Sequence, residues 1–307
     1  MDQGTLHIFS AIVTSIVLEA APFLLLGSLL SSILAVFAGD GAFERIGNRP
    51  VAVQIVIGLA AGLILPTCEC GVVPVTRRLL RKGVPSAAAI SFMLAAPVVN
   101  PVSIASTWVA FQGDMSMVLW RVALVAVPAA ILGWSLAGGK GRDLLRPSLD
   151  MAPGCGCGYG GDHDQATPGP LPARLVLVLR HTASEFMDMG RLLILGACAA
   201  GAFKVFLPQD VLGLVSGSLW LAVPALMLLA VLMSICSEAD AFVAASLSMF
   251  PRPALLAFLA LGPVLDLKLL PAFFSVFKRR IALAVVLVPA CVIYILAMSL
   301  GLLEVLP

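Results

Sequence analysis

Eight long runs of apolar residues constrain this chain more than any other feature of its sequence. They fall near 6–37, 51–66, 84–111, 115–137, 190–207, 218–236, 253–277 and 281–303. A helix crosses the hydrocarbon core of a bilayer with about 20 mostly apolar residues. Charged residues make up 12% of the chain, roughly half of their usual share in a soluble domain. We therefore expect an all-α polytopic membrane protein with membrane lipid around it.

One long polar stretch, at 138–172, separates the fourth run from the fifth. It is rich in Gly, Pro and Asp, a composition that cannot bury a core and is typical of a loop. We predict a first membrane repeat at 1–137, a cytoplasmic loop at 138–172 that carries a Cys-Gly-Cys sequence, and a second membrane repeat at 173–307.

The two flanking halves of the chain resemble each other. The segment LLLGSLLSSILAVF at 24–37 aligns with LILGACAAGAFKVF at 193–206. Polar residues also match, in the same order in both halves. These matches are Glu19 with Asp188, Cys68 with Cys236 and Asn100 with Asp266. A repeat explains such ordered polar matches better than chance agreement between apolar sequences.

Charges between the runs indicate that the two repeats have opposite orientations in the membrane. Basic residues cluster at 77–82, which predicts a cytoplasmic end, whereas the matching SMFPRP of the second half has only Arg252. Conversely, FQGDMS at 111–116 has no base, and its counterpart carries bases at 278–280. Inversion requires an odd number of crossings in each half. We therefore predict that 51–76 and 218–249 are broken, re-entrant hairpins, which leaves about six full spans.

Each predicted hairpin has an unusual tip. PTCECGVVP at 66–74 places two thiols between prolines, and CSEAD at 236–240 places two carboxylates beside a thiol. Proline and glycine break helices, and broken segments at matching places in two halves indicate a transporter's binding site. Thiolates select soft metals and metalloids. The predicted substrate-binding residues, including two polar residues beside mid-run prolines, are Cys68, Cys70, Asn100, Cys236, Glu238, Asp240 and Asp266.

Carboxylates inside apolar runs are costly and often functional. We predict that Glu19, Asp188 and Glu69 are proton-coupling groups, with Glu238 and Asp240 as further candidates. Structural alternatives stay open, because Lys268 could simply pair with Asp266. Arg121 lies near the end of its run, where we expect it to extend to the membrane interface.

The polar loop offers a separate metal-site hypothesis. In CGCGYGGDHD at 155–164, Cys155, Cys157 and His163 could hold a soft or borderline metal ion. A Gly-rich linker without a ligand explains the same residues equally well.

Several function classes lack support in the sequence. The chain has no GxxxxGK[ST], HExxH or GxSxG motif, so we expect neither an enzyme nor a cofactor. The net charge is +2, and the bases form short clusters between apolar runs, where they indicate membrane topology. We expect no nucleic-acid partner.

Three segments carry a family resemblance. PTCECGVVPVTRRLLRKGVPSAAAISFMLAAPVVNP, CSEADAFVAASL and LALGPVLDLKLLP resemble the bacterial predicted-permease family that includes the organoarsenical efflux permeases (ArsP type). The resemblance covers roughly 5–136 and 174–300. It implies a multi-pass permease of the bacterial inner membrane, some of whose relatives export trivalent organoarsenicals.

The residues and the resemblance together predict a secondary transporter. We expect export of a thiol-reactive soft solute, such as a trivalent organoarsenical, by proton antiport. Two alternatives stay open: a permease for zinc or copper ions, and a thiol–disulfide electron carrier that uses Cys68 and Cys236. A channel and a homo-oligomer are further open possibilities.

Overall fold

The structure is a computed structural model that describes residues 3–37, 44–65, 67–138, 141–146, 171–206 and 218–303. Within these ranges every regular element is a helix, and the only β pairing is one bridge between Leu145 and Phe277. The helices are α1 (Gln3–Phe37), α2 (Glu44–Gly47), α3 (Val51–Ile64), α4 (Glu69–Arg81), α5 (Ser86–Val99), α6 (Pro101–Ala110), α7 (Met115–Ser135), α8 (Gly141–Leu144), α9 (Leu171–Phe206), α10 (Leu219–Met233), α11 (Asp240–Ser246), α12 (Arg252–Leu261), α13 (Leu270–Val276) and α14 (Arg279–Leu302). The predicted all-α class is confirmed.

Four segments in the described part of the chain are long and apolar enough to cross a membrane. They are His7–Leu34, Ser86–Ala110, Met115–Ser135 and Arg279–Leu302. Shorter apolar helices, at Val51–Ile64, Leu219–Met233 and Arg252–Leu261, accompany them. The chain is therefore multi-pass, and the count of six full spans stays a prediction.

In the first half, α3 and α5 run in the same direction. Glycines on α3 make this close approach possible: Gly58 lies against the backbone of Ala88 and Phe92, and a β-carbon on Gly62 would lie 2.8 Å from the Cα of Ala96. The later glycine on α3, Gly62, contacts the later residue on α5, Ala96, so the two helices point the same way. Helix α4 lies between them in sequence, so this segment returns the chain, and the re-entrant hairpin at 51–76 stays a prediction.

The chain takes a comparable path in the second half. Ala230, near the end of α10, lies against Gly262 at the end of α12, so these two helices end on the same side. Leu219, at the start of α10, packs against Gly301 at the end of α14. The segment that contains α11 therefore returns the chain between α10 and α12.

Each half also contains one helix that is interrupted by a capped break. Asn100 separates α5 from α6, and its side-chain oxygen accepts a hydrogen bond of 3.0 Å from the Val102 N–H. Asp266 lies between α12 and α13, where its Oδ1 accepts a bond of 2.8 Å from the Leu269 N–H. Side-chain oxygens thus satisfy backbone donors that the breaks expose.

The two halves pack together along α1 and α9, which run antiparallel. Val13 on α1 contacts Gly201 on α9, whereas Ser31, further along α1, lies beside the carboxyl group of Glu185. Antiparallel packing of matching helices is what an inverted repeat requires. The inverted repeat itself stays a prediction.

Loops that are predicted to lie on the same side of the membrane come together at each end of the helices. Asp114 pairs with Arg252 at 3.1 Å, and hydrogen bonds from Ser116 hold the pKa of the Asp114 carboxyl below its usual value. At the other end, Lys278 donates its N–H to the Leu144 carbonyl at 3.0 Å. Leu144 belongs to α8, which lies inside the predicted loop.

Candidate functional site

The two helix breaks that carry the unusual sequences lie together inside the protein. We call residues 67–70 the first tip and residues 234–240 the second tip. Cys68 precedes the first residue of α4 in extended conformation. Ser234 ends α10 in the left-handed region, with φ of 48°. Each tip thus interrupts a helix where the sequence predicts a break.

The structure brings the three predicted thiols into one buried region. Cys68 and Cys70 are both buried on the first tip, on either side of Glu69. Cys236 is buried on the second tip, and its Sγ lies 3.9 Å from the Nζ of Lys268, the ion-pair partner of Glu69. All three are free cysteines. Thiols from both halves therefore face the same charged group.

Lys268 occupies the centre of this region. Its Nζ lies 2.9 Å from Glu69 Oε1 and 3.3 Å from Asp266 Oδ2. It also donates to the Ser234 carbonyl oxygen at 3.2 Å and lies 3.9 Å from Cys236 Sγ. Its contacts with Glu69 on the first tip and with Ser234 and Cys236 on the second link the two tips across the halves. All these side chains are buried.

A second buried ion pair holds the other end of the second tip. Arg121 Nη2 donates to Asp240 Oδ1 and Oδ2 at 2.9 and 2.7 Å and to the Ser237 carbonyl oxygen at 3.2 Å. Arg121 Nη1 donates to Thr107 Oγ1 at 2.5 Å. The expectation that Arg121 reaches the membrane interface is wrong: only 1% of the residue is exposed, because Asp240 compensates its charge inside the protein.

The remaining predicted residues lie at varying distances from the thiols. Asn100 and Asp266 cap the two breaks described above, and Asp266 also reaches the site through Lys268. Glu238 is half-buried on the second tip. Glu19 on α1 and Asp188 on α9 are exposed.

Metal binding has no support in the described part of the chain. No group of three or more His, Cys, Asp and Glu residues there could hold a metal ion. The predicted loop ligands Cys155, Cys157 and His163 lie outside the described residues.

Several buried polar atoms of the site have no hydrogen-bond partner among the described residues. They are Glu69 Oε2, Arg121 Nε and Ser237 Oγ. Buried polar atoms are normally satisfied, and exceptions often mark functional groups. Unused hydrogen-bonding capacity is therefore buried at the tips that carry the cysteines.

Sequence reasoning missed the partners of the two buried cations. From the sequence, only Asp266 is expected to pair with Lys268, and Arg121 is expected at the membrane interface. One signal could have found them: a base inside an apolar run is costly unless a carboxylate compensates it. Glu69 and Asp240 were available for that purpose on the tips.

Comparison with known proteins gives the family. The family model described as "Predicted permease" matches residues 5–302. UPF0718 protein YcgR of Bacillus subtilis (strain 168) is 36% identical over 300 residues, covering 97% of this chain and 98% of that protein. A Streptococcus mutans serotype c protein named "Putative two-component membrane permease complex subunit" is 32% identical over 295 residues, with 96% and 95% covered.

No solved structure matches this chain. The family match extends through both tips and both buried ion pairs, so the site belongs to the matched region. Together with the spanning helices, these similarities identify the chain as a multi-pass bacterial membrane transporter that belongs to the predicted-permease family.

Proposed function

We propose that this permease is a secondary transporter of the inner membrane that exports trivalent organoarsenicals and similar thiol-reactive soft solutes. The observation that carries the proposal is the buried ion pair between the tips: Cys68 and Cys70 flank Glu69, and its partner Lys268 lies 3.9 Å from the Cys236 Sγ. These thiols come from tips in opposite halves of the chain, which is the expected place for a transporter's binding site.

The chemistry of a trivalent monomethyl arsenical suits this arrangement. Methylarsenite carries two hydroxyl groups on arsenic, and two thiols can replace both. Each thiol proton then leaves with a hydroxyl group as water, so the arsenic keeps its oxidation state. Soft thiolate ligands favour soft centres such as arsenic. Two thiols of the first tip, or one from each tip, satisfy this requirement.

Alternating exposure of the site follows from the proposed inverted repeat. The antiparallel packing of α1 against α9 supports inversion, as does the grouping of loops at the two ends. Two similar halves of opposite orientation can exchange conformations and so open the same site to either side.

Proton antiport is the proposed source of energy. Glu19, Asp188 and Glu69 are the proposed proton-coupling groups, and Glu69 is the one in contact with the site. Glu19→Gln, Asp188→Asn and Glu69→Gln keep side-chain size and remove the charge. If one of these carboxylates couples proton movement to transport, an imposed proton gradient should no longer accelerate transport in the variant that lacks it.

Uptake of methylarsenite by everted membrane vesicles tests the function. We expect wild-type vesicles to accumulate it, Cys68→Ser and Cys236→Ser to lose accumulation, and an uncoupler to abolish it. Cys291→Ser is the matched control, because Cys291 is exposed on α14. Wild-type uptake equal to that of vesicles without the permease would exclude methylarsenite as the cargo.

A partner subunit is a separate proposal. The Streptococcus mutans relative is named as a subunit of a two-component permease complex, and we propose that this chain also acts with a second polypeptide. Affinity purification from its native membrane in mild detergent should then yield a second protein in stoichiometric amount. Purification of this chain alone, with full transport after reconstitution, would contradict the proposal.

A further inference from the structure

The Nη2 contacts of Arg121 converge on the turn that carries Cys236. Its Nη2 group is shared by the Asp240 carboxylate and the Ser237 carbonyl oxygen. The Cys236 carbonyl oxygen accepts hydrogen bonds from the Ala239 and Asp240 N–H groups at 2.9 and 3.0 Å. Cys236 and Asp240 therefore belong to one hydrogen-bonded turn, and a group that holds Asp240 also fixes the position of the thiol.

This support comes from the opposite half of the chain. Arg121 lies on α7, and Thr107, which accepts a hydrogen bond from it, lies on α6. Both helices belong to the first half, whereas the turn belongs to the second. The described residues of the second half supply no cation to Asp240.

Thr107 is itself tied to the break between α5 and α6. Its hydroxyl donates to the Ser103 carbonyl oxygen at 2.7 Å, and the Ser103 hydroxyl donates to the Pro97 carbonyl oxygen at 2.8 Å. Asn100 caps the same helix. A continuous set of hydrogen bonds thus runs from the first-half break through Thr107 and Arg121 to the second tip.

We propose that Arg121 is a positioning residue for the substrate site, which holds the Cys236 thiol at the site from across the interface between the halves. Asn100, which caps α6, then contributes to the position of Arg121 through α6 and Thr107. The importance of Cys236 as a ligand rests on the proposed function, but its position can be measured without any substrate.

The test is the rate at which an alkylating reagent modifies each cysteine of the purified full-length permease, measured by mass spectrometry. In Arg121→Met, we expect Cys236 to react at least about tenfold faster, because the buried Asp240 carboxylate loses its partner and its turn moves. Exposed Cys291 is the internal reference. Cys68 and Cys70 should keep their wild-type rates.

Two further variants separate positioning from general loosening. Arg121→Lys keeps the charge and should leave Cys236 close to its wild-type rate. Thr107→Val keeps the ion pair, removes the acceptor for Nη1, and should raise the Cys236 rate by a factor of about two to five, as expected for one lost hydrogen bond. An unchanged Cys236 rate in both Arg121→Met and Thr107→Val would overturn the proposal. So would an equal increase at Cys68, Cys70 and Cys236.

Transport by the same variants completes the test. For methylarsenite uptake, Thr107→Val should raise the half-saturating concentration and change the maximal rate little, since a displaced thiol weakens binding. Arg121→Lys, which keeps the thiol in place, should transport like the wild type. If the alkylation pattern is as expected but wild-type vesicles take up no methylarsenite, the proposed cargo fails and the positioning role stands. If methylarsenite uptake requires Cys236 but alkylation in Arg121→Met matches wild type, the positioning role fails alone.

Discussion

Lys268 shows how a single buried charge can join two halves of a membrane protein. Its ammonium group is buried between Glu69 in one half and Asp266 in the other. Removing such charges from water is costly, and their mutual attraction offsets that cost only when the geometry is good. Without Lys268, both buried carboxylates would lose the cation that compensates them.

We expect Lys268→Met to destabilise the protein by about 3–5 kcal/mol, the usual effect of breaking a buried ion pair from one side. The measurement is unfolding of the purified protein in detergent by a chemical denaturant. Lys278→Met is the matched control, because Lys278 is exposed and its backbone contacts are kept. Equal stability of the two variants would show that the Lys268 ion pairs contribute nothing measurable.

At the scale of the helices, glycines determine how closely the long helices α1 and α9 approach the site. Gly27 on α1 lies against the backbone of Gly71 on α4, and Gly196 on α9 lies against the backbone of Lys268. The sequence repeat matches Gly27 to Gly196. In both halves the matching glycine therefore lets the first long helix touch a segment that holds the site.

Gly196→Ala should be destabilising, because the new methyl group has no room beside the Lys268 backbone. Overpacking of this kind costs about 1–3 kcal/mol. Gly190→Ala on the same helix is the control, since nothing lies within 4 Å of the position of its β-carbon. Alanine favours a helix over glycine by up to about 1 kcal/mol, so the control should be neutral or more stable. Thermal unfolding should shift in opposite directions, and equal shifts would contradict the close contact at Gly196.

The sequence predicts the helices and their breaks better than it predicts the pairing of charges. Breaks at both tips are predicted from the sequence. The first one ends at Cys68, so that Gly71 and Pro74 lie inside α4, and the second, at 234–239, has polar residues but neither proline nor glycine. Asn100 caps a helix just before a proline. The partners of Lys268 and Arg121 could not be read locally. Each pair joins residues more than 100 positions apart, and its formation depends on how the two halves pack.

At the scale of the whole molecule, the ends of the helices separate into two groups. Residues near 114 and 252 meet at one end, through an ion pair. Residues near 80, 144 and 277 meet at the other, where Gly141 also lies against Leu80. The distribution of bases in the sequence independently predicts the first group outside and the second group in the cytoplasm.

Single introduced cysteines test this arrangement with a maleimide that cannot cross the membrane. The substituted positions are exposed or half-buried residues in four loops or helix ends. They are Lys82→Cys, Met115→Cys, Ser248→Cys and Lys278→Cys. Native Cys155, Cys157, Cys198 and Cys291 are replaced by serine, and the buried tip cysteines are kept.

We expect the cysteines at 115 and 248 to react in intact cells, and those at 82 and 278 to react only in everted vesicles. The reason is that inversion places matching loops of the two halves on opposite sides of the membrane. Residues near 115 and 278 occupy matching places in the two halves. If the repeats were parallel, these two positions would therefore lie on the same side of the membrane. Labelling of both from the same side would therefore exclude the inverted repeat, and with it the proposed exchange of conformations between the halves.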